Sequence, residues 1–200
     1  MTVLLYDNPF SGNCYKVRLI FNLLGIEHER REVSVLDRAD RVEKLGGLSP
    51  ALTIPAVVLE DGRPLAESNA IVWHFADGSA YLPDDPYERA QVLQWMFFEQ
   101  YKHEPAIAVL RFWVAIGGGP PPEMNVEAMR ADGHFALKVM ERHLRDHEFF
   151  VGERFTIADI ALYAYTHVAP EGGFELEPYP AVGEWLERVA AQPGIVPIDA

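Results

Sequence analysis

Apolar and polar positions along the chain switch between two periods. Thr2 to Tyr6 is a short, nearly continuous apolar run, the mark of a buried strand. The turn-rich stretch Asp7-Asn8-Pro9-Phe10-Ser11-Gly12-Asn13 follows. Val17, Ile20, Phe21 and Leu24 then recur at helical spacing, and Gly25 supplies the stop. His28 to Val35 fits a second strand, and Asp37 to Leu45 a polar surface helix. Strand, helix, strand, helix is the order of a parallel βαβ unit. Ala56 to Leu59 is a short apolar strand entered through Ile54-Pro55. Asp61-Gly62 predicts a two-residue hairpin turn, and Arg63 to Ala66 the antiparallel return strand. Glu67 to Ala76 forms a helix with Ile71, Val72 and Phe75 facing inward. The expectation for residues 1–77 is an α/β domain, βαβ-α-ββα, around a four-stranded mixed sheet.

The pattern changes after GSAYLPDDP, residues 78–86, which reads as a linker. Residues 87–200 show no convincing strand and predict an all-helical domain. Tyr87 to Ile116 is one long helical pattern with a bend expected at Pro105. The GGGPPP run at 117–122 is a loop. Glu123 to His147 is a further helix, Thr156 starts another, and Pro180 starts the last. Phe155, Thr156, Asp159 and Ile160 fit a capping box with a hydrophobic staple across it, a folding signal rather than a chemical one.

Composition narrows the function classes. Apolar residues make up 49% of the 200 and charged residues 24%, ordinary for a folded chain. No run approaches the roughly 18 apolar residues of a membrane span. The opening residues lack signal-peptide order, so cytosolic residence is expected. A net charge of −13 disfavours nucleic acid and anionic membranes as partners, although one local site can still hold a small anion. Cys14 is the single cysteine, which rules out an intrachain disulfide and a metal site built on two thiolates. His143 and His147 stand four apart in the charged stretch ERHLRDHE, read as a solvated helix face, and no metal is expected.

Three stretches taken together resemble the cytosolic glutathione S-transferase family: LYDNPFSGNCYKVRL (5–19), LSPALTIPAVVLEDGRPLAESNAIVWHFA (48–76) and FTIADIALYAY (155–165). The resemblance spans nearly the whole chain, and the middle stretch is its most specific part. It implies a thioredoxin-like half that binds glutathione as co-substrate and a helical half that holds a small hydrophobic electrophile. It also implies a homodimer, the first half of one chain against the second half of the other. Pro55 matches the family's cis-proline, which turns the backbone of Ile54 outward to pair with an extended peptide. Glu67 matches the position that takes the ammonium of the γ-glutamyl group. Ser68, at a helix N-terminus, matches the one that takes its carboxylate. Thr53 and Gly46-Gly47 depart from the family pattern, which puts in doubt how the glycyl end is held; Lys44 is the candidate for it.

Transfer chemistry needs a thiolate. A free thiol has a pKa near 8.5, and lowering it by about two units is worth about 2.7 kcal/mol. Aligned through KVRL, Ser11 falls where serine-type members keep their activating hydroxyl. Asn13 falls where a bacterial, nu-like subgroup places an amide near the sulfur. Tyr6, ending the first strand, and Cys14 are the competitors; Cys14 lies three residues past the position of the nucleophilic cysteine in omega-like members. Tyr101, Arg111 and Phe112 are candidates for the electrophile pocket, with 117–122 as a lid. Glutathione-dependent disulfide reduction and a non-catalytic glutathione-binding or interaction module stay open as alternatives. A zeta-like isomerase is disfavoured, because its SSC signature is Ser11-Gly12-Asn13 here.

Overall fold

The computed structural model describes residues 2–200. The first elements are β1 (Val3–Asp7), α1 (Gly12–Leu24), β2 (His28–Glu32), α2 (Arg38–Leu45), β3 (Ala56–Val58), β4 (Pro64–Ala66) and α3 (Ser68–Ala76), in the predicted order. They build one four-stranded sheet ordered β2-β1-β3-β4. β1 and β2 run parallel, while β3 is antiparallel to both β1 and β4. β2 reads HERRE and is largely exposed, and its row of charges protects this edge of the sheet from further pairing. Gly25 closes α1 in the left-handed region at φ 65, the conformation glycine adopts without steric cost.

Two layers cover the sheet. α1 packs beside α3, with the Phe21 ring edge-on to Phe75 at 4.7 Å between centroids. A smaller cluster gathers Val33, Leu45 and Ala56, with Tyr6, Leu52 and Ile54 packed against it. The hairpin differs from expectation. Gly62 N–H donates to the Leu59 carbonyl and Leu59 N–H to the Arg63 carbonyl, each at 2.9 Å. The loop therefore spans three residues, closed by Gly62 at φ 86. This loop type matches strand twist as well as the two-residue turn does.

The chain divides into two compact units, one running to Ser79 and taking in Pro193–Ala200, the other Ala80–Gln192. Residues 193–200, expected with the helical domain, instead bond to α1 and β2. The second unit holds α4 (Pro86–Phe98), α5 (Glu104–Arg111), α6 (Val126–Leu144), α7 (Ile157–Thr166) and α8 (Pro180–Ala190). The long pattern over 87–116 is broken by π turns at Glu99–His103 and Phe112–Ile116. The first of these is the form the bend at Pro105 takes. Proline has no N–H for the carbonyl four residues back, and its ring collides with that carbonyl. A wider turn, in which Glu104 N–H reaches Glu99 O, relieves both.

α7 is buried along its whole length, and α4, α5 and α8 pack against it. Its capping box is formed: Ala158 N–H donates to Thr156 Oγ1 at 3.3 Å and Thr156 N–H to Asp159 Oδ2 at 2.9 Å. Asp159 also accepts from Phe150 N–H at 3.2 Å and Trp185 Nε1 at 3.0 Å, so one carboxylate ties three segments together. Of the His143–His147 pair, His147 is exposed as expected of a solvated face, while His143 is half-buried. The His143 ring stacks on His147 at 4.4 Å and on Phe150 at 5.5 Å, and burial followed by His147 holds its pKa below the ordinary histidine value. Among the described residues no helix is long and apolar enough to cross a membrane, and no cluster of three or more His, Cys, Asp or Glu could hold a metal.

Candidate functional site

The site begins where β1 runs out into the loop before α1. Asn8 fixes that loop from both ends of its side chain. Its Nδ2 donates to the Val33 carbonyl at 2.9 Å, and its Oδ1 accepts from Phe10 N–H at 3.1 Å. Ser11 N–H then donates to the Asn8 carbonyl at 3.1 Å. These bonds set Ser11 as the N-cap of α1, its Oγ accepting from Cys14 N–H at 3.2 Å. A hydroxyl that accepts this way keeps its own proton to donate. Half-buried, Ser11 can act as cap and as donor to an anion at once.

α3 starts beside it. Ser68, buried, donates its Oγ–H to Asn13 Oδ1 at 3.0 Å. That bond joins residues 55 apart in sequence and sets the first turns of α1 and α3 together. Each helix start carries N–H groups outside the internal ladder and the positive end of a dipole. In α3 the carbonyl of Glu67 is already taken by Ile71 N–H at 3.0 Å, so the N–H groups ahead of Ile71 point past the helix. Two such ends side by side favour an anion more than one does. Glu67 itself is exposed and stands at φ 69, ψ 116, outside the regions a side chain normally allows. Such a conformation costs about 1–3 kcal/mol and clusters at functional sites.

The Ile54–Pro55 bond is cis. The ladder of β3 starts at Ala56, so the polar backbone groups of Ile54 lie beyond it. Next to this, Gly47–Ala51 and Pro64–Glu67 line a cleft of about 470 Å³. Thr53 N–H is held by Ser49 Oγ at 3.1 Å.

Lys44 donates to the Glu32 carbonyl at 2.8 Å and pairs with Asp40 at 2.7 Å, so its ammonium serves α2. Cys14 is fully buried, and burial, then the Asp7 charge, pushes its thiol up, away from nucleophilic ionisation. Tyr6 packs with the Val33 cluster as part of the sheet. In the helical unit Arg111 is buried and paired with Glu171 at 2.8 Å. The long helix turns a different face to solvent than a continuous helix would, because the π turn shifts the register ahead of it. Phe112 is half-buried against Trp113, rings 5.1 Å apart. Tyr101 is 76% exposed and lines a groove of about 240 Å³ with Lys102, Met129 and Phe135.

Sequence reasoning missed the ionic support beneath the loop. Asp7, buried, takes Arg18 on one oxygen and Arg30 on the other, both at 2.6 Å. A charged residue inside the buried run of α1 was the available signal.

Comparison with known proteins decides the family. The model of the glutathione S-transferase N-terminal domain matches residues 10–77, and that of the C-terminal domain matches residues 101–193. The chain belongs to the glutathione S-transferase family. A glutathione S-transferase of Pseudomonas fluorescens is similar in structure, 48% identical over 99% of each chain, with a TM-score of 0.94. Glutathione S-transferase 2 of Anopheles gambiae is 29% identical, over 94% of this chain and 91% of its own. The disulfide-bond oxidoreductase YfcG of Escherichia coli is 28% identical, over 94% of this chain and 90% of its own. In this family member the α/β unit is the thioredoxin-like half, and the two helix starts lie on it.

Proposed function

We propose that this chain is a glutathione transferase that activates the glutathione thiol for attack on a small hydrophobic electrophile. The observation that carries the reading is the Ser68–Asn13 hydrogen bond, which puts two helix N-termini and the Ser11 hydroxyl around one place. The γ-glutamyl carboxylate goes to the backbone N–H of Ser68 and the other N–H groups of the first turn of α3. Its ammonium goes to Glu67. The cysteinyl backbone pairs with Ile54, ahead of the cis Pro55. The sulfur then meets the Ser11 hydroxyl, the Asn13 amide, or both, and a donor aimed at the thiolate lowers its pKa. Attack forms the carbon–sulfur bond as the thiolate lone pair either expels a leaving group, which departs with its bonding pair, or adds to an activated double bond, whose far carbon then takes a proton from water. With Lys44 engaged on Asp40, the glycyl end is assigned to the cleft bounded by Gly47 and Ser49.

A homodimer and cytosolic residence are part of this reading. Leu93, Phe97 and Tyr101 recur at every fourth residue and are 37%, 67% and 76% exposed, an apolar row that a second copy would cover.

Calorimetry with glutathione, followed by titration of the bound thiol through its ultraviolet thiolate absorbance, tests the core of this. Ser11→Ala or Asn13→Ala raises the bound thiol pKa by about one to two units, which is tenfold or more in thiolate. No affinity for glutathione, or a thiol pKa untouched in both variants, overturns the reading. The similarity to YfcG favours one second reading, a glutathione-dependent disulfide reductase of the nu-like kind. Burial of Cys14 means that such a reaction would run on bound glutathione alone. Disulfide reduction retained by Cys14→Ala, with little conjugation, selects it. Tight binding with neither reaction selects a non-catalytic glutathione-binding module.

A further inference from the structure

Arg18 stands at a junction that the reaction scheme above does not use. It is 5% exposed on α1. One terminal nitrogen donates to Asp7 Oδ1 at 2.6 Å and to the Asn8 carbonyl at 3.3 Å. The other donates to the Pro9 carbonyl at 3.3 Å and to the Ile198 carbonyl. A planar guanidinium thus grips three successive residues of the loop that delivers Ser11, and a stretch of chain 180 residues away.

That stretch is strapped down in a regular way. Asn22 Nδ2 donates to the Gly194 carbonyl at 2.6 Å, the Tyr15 hydroxyl to that of Val196, and Arg30 to that of Ala200 at 3.0 Å. Every second carbonyl from 194 to 200 therefore accepts from a side chain of α1 or β2. Arg18 and Arg30 share Asp7 as their common anion. The strap and the Ser11 loop are in this way two ends of one buried network, with Asp7 at its centre.

We propose that Arg18 is a positioning residue for Ser11, and that the segment Pro193–Ala200 is the other half of the device that sets how acidic the bound glutathione thiol is. The inference rests on the thiolate reading above. A hydroxyl stabilises a thiolate only when it is aimed at the sulfur within hydrogen-bond reach, and the weakening with angle is steep. Freed of the strap, the guanidinium loses one of its buried acceptors and gains rotational freedom. The carbonyls of Asn8 and Pro9 then lose the fixed donor that orders the approach to Ser11.

The test compares four proteins: the full chain, a chain ending at Gln192, a Tyr15→Phe/Asn22→Ala double variant that removes two of the four side-chain holds on the strap but keeps Arg18, and Ser11→Ala. The bound thiol pKa is read by ultraviolet titration, with KM for glutathione, kcat against pH and thermal melting alongside. The expected result is a thiol pKa raised by roughly half to one unit on unfastening, a threefold to tenfold loss of thiolate below it. KM for glutathione stays within about twofold, and kcat recovers at high pH, where the thiol ionises unaided. If the shortened chain fails to fold, the double variant decides by the same readouts. A lowered melting temperature with an unchanged thiol pKa and pH profile overturns the proposal and leaves the strap structural. If Ser11→Ala moves the thiol pKa and unfastening does not, the proposal fails and the thiolate reading survives. If neither moves it, the thiolate reading itself has failed.

Discussion

Glu67 holds a backbone conformation that its side chain disfavours, at φ 69. Glycine there removes the clash, and only part of the gain is offset by the added freedom of the unfolded chain. Glu67→Gly is therefore expected to raise stability by about 1 kcal/mol, read from the urea midpoint. Calorimetry on the same variant should show glutathione bound about tenfold more weakly, because the partner of its ammonium is gone. Equal or tighter binding would remove Glu67 from the site. Single residues were unevenly legible in the sequence. Ser68 could be placed at a helix start, because the helical pattern opens there. Its bond to Asn13 could not, since a contact between two helix starts depends on how the helices pack. The burial of Arg111 was not legible for a related reason: nothing local says which side of a long helix faces inward once a π turn has shifted it.

Among the elements, α6 shows how close packing overrides helix propensity. Gly133 sits inside α6, where glycine costs about 1 kcal/mol relative to alanine. A Cβ there would lie 2.4 Å from the Phe174 ring and 3.3 Å from Ile107. Phe174 is buried and cannot easily swing away. Gly133→Ala should lower stability by roughly 1–2 kcal/mol despite its better propensity, seen as a fall in melting temperature. Adding Phe174→Leu should restore part of the loss; full stability in the single variant would show that the ring yields. Elements with local punctuation were read well from sequence, as α7 with its capping box and α1 with Gly25 show. The hairpin loop length and the π turns were not, because each depends on backbone register rather than residue type.

At the level of the whole molecule, acidity shapes the response to pH. Burial pushes the Asp159 carboxyl up to about 6, although its four donors pull the other way. Its folded pKa lies above the unfolded value near 3.8, so the folded state holds the proton more tightly. The stabilisation linked to that proton is full below pH 4 and is lost as pH rises through 6. Asp159→Asn does not titrate at this position. The stability of the parent minus that of Asp159→Asn should therefore shrink between pH 4 and 6, by on the order of 3 kcal/mol. Chemical denaturation at several pH values measures it, at low concentration because the isoelectric point is near 4.9. A difference that grows with pH would mean that the donors win and the carboxylate is charged when buried. The fold of both halves was legible at this scale, since the order of strands and helices survives from pattern to structure. The path of residues 193–200 was not, since no composition shift marks it.

The return of that stretch to the first unit has a consequence for synthesis. A ribosome that has released the first eighty residues has made all four strands, yet not the carbonyls that Asn22, Tyr15, Arg18 and Arg30 will hold. The nascent half waits, one side of α1 bare, until translation has passed Ile198. Completion of that network is thereby timed to the synthesis of residues 194–200, and a chain stalled midway carries the four strands without their fastening.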